Sequence, residues 1–193
     1  MTQAKPTTGD LQAAEGSTVP HLIAHGLKVL FVGINPGLYS GATGRHFARP
    51  GNRFWPALHL GGITPRLLQP WEEEELLALG YGITALVRRA TATAQELKPH
   101  EYREGAQQLE ELVRVDSPKL VCFLGIGAYR TGFGRPKAQL GWQEETIAGV
   151  PIWVLPNPSG LNAHFQLQDF AHMMAEVREA SARLGQTSED DTT

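Results

Sequence analysis

The sequence predicts an α/β fold, with three layers (α/β/α) around a central, mostly parallel sheet of four to five strands. Three observations predict it. Short apolar runs rich in β-branched residues recur at 28–33, 82–85, 119–124 and 151–155, each of strand length. Stretches with a helical stripe separate them, as in Leu109, Leu112 and Val113, or Phe170, Met173, Met174 and Val177. Strands spaced by helices are joined by crossovers, which gives parallel pairing and a sheet covered on both faces.

The elements follow in order. Residues 1–20 are polar and rich in Thr, Ala and Gly, which reads as a flexible tail. They lack the basic start and apolar middle of a signal peptide, so the expected setting is the cytoplasm. Strand 28–33 ends in Gly33-Ile34-Asn35-Pro36-Gly37, a glycine and proline turn. Residues 36–52 carry no clear element, and irregular stretches of that length in a small domain are commonly functional. Helices are expected at 53–61 and 71–79, before strand 82–85, and at 102–115, before strand 119–124. Helix 125–132 leads towards strand 151–155. That strand delivers Pro156-Asn157-Pro158-Ser159-Gly160-Leu161-Asn162, and helix 166–184 closes the domain. Residues 186–193, with Glu189, Asp190 and Asp191, read as a disordered acidic tail. Residues 21–185 remain as one domain, a size that buries a substantial core.

Composition excludes several classes. No apolar run approaches the roughly 20 residues of a membrane span, so no membrane partner is expected. Cys122 is the single cysteine, which rules out an internal disulfide or a four-cysteine metal site. It sits in an apolar run and reads as a core thiol. The formal charge is −3, yet Arg45, Arg49, Arg53, Arg88 and Arg89 cluster around two strand ends. A local basic face is therefore expected on a mildly acidic protein.

Two strand ends thus each deliver an asparagine beside a proline. In a parallel sheet such ends lie on one edge, where ligands bind. An amide is no base near neutral pH, but it can hold a water by donating and accepting. The loop lacks the glycine and lysine spacing of a phosphate cradle. His21 and His25 have a spacing of four but no third ligand, and proline breaks the sequon at Asn157. Glu72 to Glu75 fit a solvated helix start. Glu96 reads as a helix-start carboxylate, with assistance to Asn35 as the alternative. Leu161 stands out as an apolar residue in a polar loop, either tucked into the core or projecting as a wedge.

Gly33 to Gly37, then Phe47-Ala48, Asn52-Arg53-Phe54-Trp55 and Leu155 to Leu161, in that order, resemble the mismatch-specific uracil-DNA glycosylase and thymine-DNA glycosylase family over residues 26–184. The resemblance implies an enzyme of base excision repair. It would flip uracil, or a related pyrimidine opposite guanine, out of duplex DNA and hydrolyse its N-glycosidic bond. It implies Asn35 as the catalytic residue that holds the water, with Ile34, Gly37, Ser40, Phe47 and Asn157 around the base. Ser159, Gly160, Leu161 and Asn162 would intercalate and contact the opposite strand. Gly37 stands where stricter uracil enzymes carry a bulky ring, so thymine or other 5-substituted bases could enter. Two positions depart from the pattern: Ala163 replaces an arginine after the wedge leucine, and Ala85 replaces a polar residue.

No lysine lies in either motif loop, so a monofunctional glycosylase is expected, leaving an abasic site and needing no metal or organic cofactor. The expected partner is double-stranded DNA carrying uracil or a mismatched pyrimidine. The expected state is a monomer, nucleoid-associated through that DNA. The alternative is a module that binds mismatched or damaged DNA without cutting. A third reading is a protein that binds a small nucleotide.

Overall fold

The computed structural model describes residues 5–190, with side chains described to residue 186. Five strands form one sheet: β1 (Val29–Gly33), β2 (Tyr81–Ala85), β3 (Val121–Leu124), β4 (Gly141–Ile147) and β5 (Val150–Leu155), in the order β2-β1-β3-β5-β4. The first four strands in that order run parallel. β4 is an antiparallel edge strand joined to β5 by a tight turn at Ala148 and Gly149, both at positive φ, the geometry that matches strand twist in a two-residue hairpin. Among the described residues seven α-helices surround the sheet: α1 (Thr8–Ala13), α2 (Leu38–Thr43), α3 (Phe54–Leu60), α4 (Glu75–Leu79), α5 (Pro99–Asp116), α6 (Ile126–Phe133) and α7 (Leu167–Asp190).

Alternation along the strands builds two cores. Val29 and Phe31 of β1 face α3 and α7, meeting Phe54, Leu58, Phe170 and Met174. Leu30 and Val32 face the other way, onto Leu109 and Val113 of α5 and Tyr129 of α6. A strand buried on both faces must be apolar throughout, which is why β1, β3 and β5 read so clearly. The three-layer α/β/α expectation holds, with five strands.

Several boundaries differ. The expected tail at 1–20 is structured over its described part. Thr7 and Asp10 form a capping box that starts α1. The segment after it pairs with the loop beyond β2: Gly16 N–H donates to Ala90 O at 2.9 Å, and Ala90 N–H to Ser17 O at 2.7 Å. Val19 is buried. Residues 1–4 lie outside the described residues. At the other end α7 runs to Asp190, past the expected start of a disordered tail at 186, and 191–193 are not described. The stretch 36–52 is not wholly irregular, because α2 occupies its first half. β4 escaped the pattern because Glu144 and Glu145 interrupt its alternation; Gln143 and Ile147 point inward.

Candidate active site

The carboxyl ends of β1, β2 and β3 and the loop after β5 enclose a cavity of about 520 Å³, within the range of small-molecule sites. Asn35, Ile34, Gly37, Ser40, Phe47, Asn157, Ser159, Leu161 and Asn162 all border it; Gly160 lies just outside. One edge of the sheet thus gathers residues from three distant segments.

Asn35 is clamped. Its Nδ2 donates to Pro36 O at 3.1 Å, Arg89 O at 3.0 Å and Thr91 Oγ1 at 2.7 Å. Thr91 in turn donates to Thr93 O at 2.9 Å, so it can only accept from Asn35. Three acceptors around one end fix which end is nitrogen. The amide oxygen is thereby the end left to the cavity, and Asn35 acts on a ligand purely as an acceptor. The sequence suggested an amide that both donates and accepts; the structure spends the donor on the protein. Thr91, which the sequence did not single out, and Arg89, expected only as part of a basic face, lie more than fifty residues away, and no local pattern announces their hold on Asn35. Arg89 is held by Glu101 at 2.6 Å. The Arg89 guanidinium, followed by the Lys98 backbone N–H, pulls the Glu101 carboxyl down to about 2.

Phe47 adopts a left-handed backbone, φ 50°, a conformation that costs a non-glycine residue on the order of 1–3 kcal/mol. Its ring stacks on Phe54 at 4.1 Å between centroids and borders the cavity. Gly33 permits this, since a Cβ there would lie 3.2 Å from Phe47 Cζ. Among the described residues no group accepts from the backbone N–H of Ile34 or Phe47, so both remain available to a base edge. Ser40 Oγ accepts from Ala48 N–H at 3.2 Å, pinning the same loop. His46 is buried beside the cavity, with its N–H and Nδ1 both on Glu73 Oε2, at 2.9 and 3.0 Å. Burial opposes ionisation of Glu73, but the His46 bonds and Arg45 outweigh it and hold the carboxyl below its usual range. Gly37 begins α2, and a Cβ there would meet nothing within 4 Å.

The loop after β5 is internally braced. Asn157 Oδ1 accepts from Ser159 N–H at 3.0 Å, which leaves its amide nitrogen for the cavity. Asn162 has all its polar groups engaged inside the protein. Its Nδ2 donates to Asn157 O, its N–H to Ser159 O and its Oδ1 accepts from His164 N–H, while its carbonyl accepts from Arg53. Its side chain shapes the loop, and contact with an opposite strand would compete with these bonds. Leu161 projects, 75% exposed.

The expected basic face is smaller than the arginine count suggests. Arg45 is neutralised by Glu73 and Arg89 by Glu101, whereas Arg88, on His21 and Val19 O, and Arg53, on loop carbonyls, keep their charge but are tied to the protein. Arg49 borders the cavity with no such partner among the described residues. Glu96 closes a capping turn on Thr93 N–H at 2.7 Å and does not border the cavity. Cys122 is fully buried and burial raises its thiol pKa beyond nucleophilic use. His21 is drawn down to about 4 by burial, then by Arg88 and His46. It bonds Thr84. Among the described residues no three His, Cys, Asp or Glu could hold a metal together, and no helix is long and apolar enough to cross a membrane.

The family model of the uracil DNA glycosylase superfamily matches residues 20–180. The chain belongs to that superfamily. Membership assigns it a DNA glycosylase role, with DNA as its partner. The fold of a candidate uracil DNA glycosylase from Methanosarcina acetivorans, determined in solution by NMR, is similar. Its TM-score is 0.56 at 21% identity, covering 84% of this chain and 98% of that one.

Proposed function

We propose that this protein is a monofunctional, mismatch-directed glycosylase for uracil and 5-substituted pyrimidines opposite guanine, acting through Asn35. The clamped amide carries the reading. With its nitrogen committed to three acceptors, Asn35 offers one fixed lone-pair end to a water, which it orients by accepting a hydrogen. Water adds through oxygen to the anomeric carbon as the N-glycosidic bond breaks. The bonding electron pair leaves with the base, and the water's surplus proton goes to solvent.

Asn35 cannot take that proton as a carboxylate would, so catalysis leans on stabilising the departing anion. The backbone N–H groups of Ile34 and Phe47 and the amide nitrogen of Asn157 are the donors for it, in the manner of an oxyanion hole. The Phe47 ring supplies a stacking face for any pyrimidine. Selectivity against cytosine follows from donors that would meet an amino group; an unpaired buried donor costs about 1–3 kcal/mol. The open space at Gly37 supports entry of a 5-methyl group. No lysine borders the cavity, which supports hydrolysis over amine attack and lyase chemistry.

The test is single-turnover excision from labelled G·U, G·T and A·U duplexes, developed with alkali. Alkali-dependent strand cleavage by the wild type, lost in Asn35→Ala while duplex binding persists, is the expected result. Retarded mobility without cleavage would identify a binding module instead. Competition by free uridine as strong as by duplex would indicate a small-nucleotide protein.

A further inference from the structure

The side chain that governs the wedge loop lies outside it. Arg53, at the start of α3, donates through Nη1 to Asn162 O at 2.8 Å and Ser159 O at 3.2 Å, and through Nη2 to Gly160 O at 3.5 Å. Its backbone N–H donates to Pro158 O at 3.0 Å. Its guanidinium lies 5.9 Å from the centre of the Phe170 ring, and no carboxylate pairs with it among the described residues. One planar cation thus collects the inward carbonyls on either side of Leu161. A lysine at this place could not, because a single ammonium lacks the fork.

We propose that Arg53 is a positioning residue for base flipping, holding Leu161 in its projecting state before DNA arrives. The loop's own bonds shape its turn but do not orient it on the domain. Arg53 does, together with the burial of Pro158 and the seating of Gly160 on Gly51, where a Cβ would lie 2.6 Å from Gly51 O. The exposed Leu161 has no packing of its own to keep it out. A loop lacking Arg53 must be ordered on DNA instead, at a cost that falls on flipping and leaves bond cleavage alone. This role rests on the glycosylase reading above.

The experiment compares wild type, Arg53→Met and Arg53→Lys on uracil in single strands, in G·U and in A·U. It also follows the fluorescence of a 2-aminopurine placed beside the uracil. Single-strand excision needs no flipping from a stack, so it should stay within about twofold of wild type. Duplex excision should fall by roughly tenfold for each loop residue left to be ordered, more on A·U than on G·U, with a smaller fluorescence rise. Lysine should not rescue it. Gly160→Ala leaves the Arg53 side chain intact but pushes the loop off Gly51 and away from the guanidinium; it should reproduce the same split if the arginine variants fold poorly. Equal losses on single-stranded and duplex substrates, or no duplex loss, would overturn the proposal. A wild type that cuts nothing would sink the glycosylase reading, while the fluorescence change would still test Arg53.

Discussion

Asn35→Asp is the substitution that separates the clamp from the chemistry. By residue type alone, a carboxylate at this position should be an improvement, since it could take the water's proton. The surroundings argue otherwise. The group it replaces donates to Pro36 O, Arg89 O and Thr91 Oγ1, at 3.1, 3.0 and 2.7 Å. Thr91 can rotate its hydroxyl and donate, but the two carbonyls cannot. Each lost bond removes about 1 kcal/mol. A charged oxygen facing two carbonyl oxygens adds about 1–3 kcal/mol before solvent at this half-buried site reduces it. The expected destabilisation at pH 8 is therefore about 2–4 kcal/mol relative to Asn35, against about 1–2 for Asn35→Ala, which leaves room for water.

The pH dependence has a definite sign. Carbonyl neighbours raise the folded-state pKa of the introduced carboxyl, because the protonated form can donate to one of them. The variant is then best placed below the ordinary carboxyl value of about 4 and loses stability as pH rises through its folded value. Urea denaturation of both variants at pH 5 and pH 8 reads this directly. An Asn35→Asp variant as stable as wild type at pH 8, or one whose difference from Asn35→Ala does not change with pH, would refute the clamp.

Two further outcomes follow from other parts of the site. Glu101, pulled down to about 2 by Arg89, contributes stability that is present above the ordinary 4.5 and lost as pH falls towards 2. Glu101→Gln should flatten the acid-unfolding curve in that window, and should slow excision by loosening Arg89 O behind Asn35. Gly37 sits at φ −76° with open space where a Cβ would go, so Gly37→Phe should leave the melting temperature unchanged. It should suppress excision of thymine more than of uracil, measured as the ratio of single-turnover rates.

The parts of this molecule that the sequence made legible are those governed by neighbours in the chain. β1 and its loop could be read because an apolar run buried on both faces stops at Gly33-Ile34-Asn35-Pro36-Gly37. The Asn157 to Asn162 loop was visible as polar turn residues around one leucine. What Asn157 and Asn162 do was less visible. Both look like ligand contacts, yet Asn162 is spent on the turn and Asn157 keeps only its nitrogen. The clamp on Asn35 depends on Arg89 and Thr91, and the wedge on Arg53, pairs set by sheet order. The start of the chain looked like a tail because its partners, Ala90 and Gly41, lie across the fold. A Cβ on Gly41 would strike Ser17 Oγ at 2.6 Å, so the packing is close though nothing local announces it.

The bond from Arg53 to Asn162 spans 109 positions of sequence, and the one from Asn35 to Thr91 spans 56. Loops of that length close late, because their entropy must be met before their contacts reward it. β5, which carries the wedge loop, is also the last strand in chain order, and it docks between β3 and β4. A chain emerging from synthesis thus holds every residue of the Asn35 clamp before it holds the wedge loop. Until β5 is in place, the cavity lacks the wall that Asn157 to Asn162 supply, so on the proposed reading the ability to disturb a duplex arises only with a nearly finished fold.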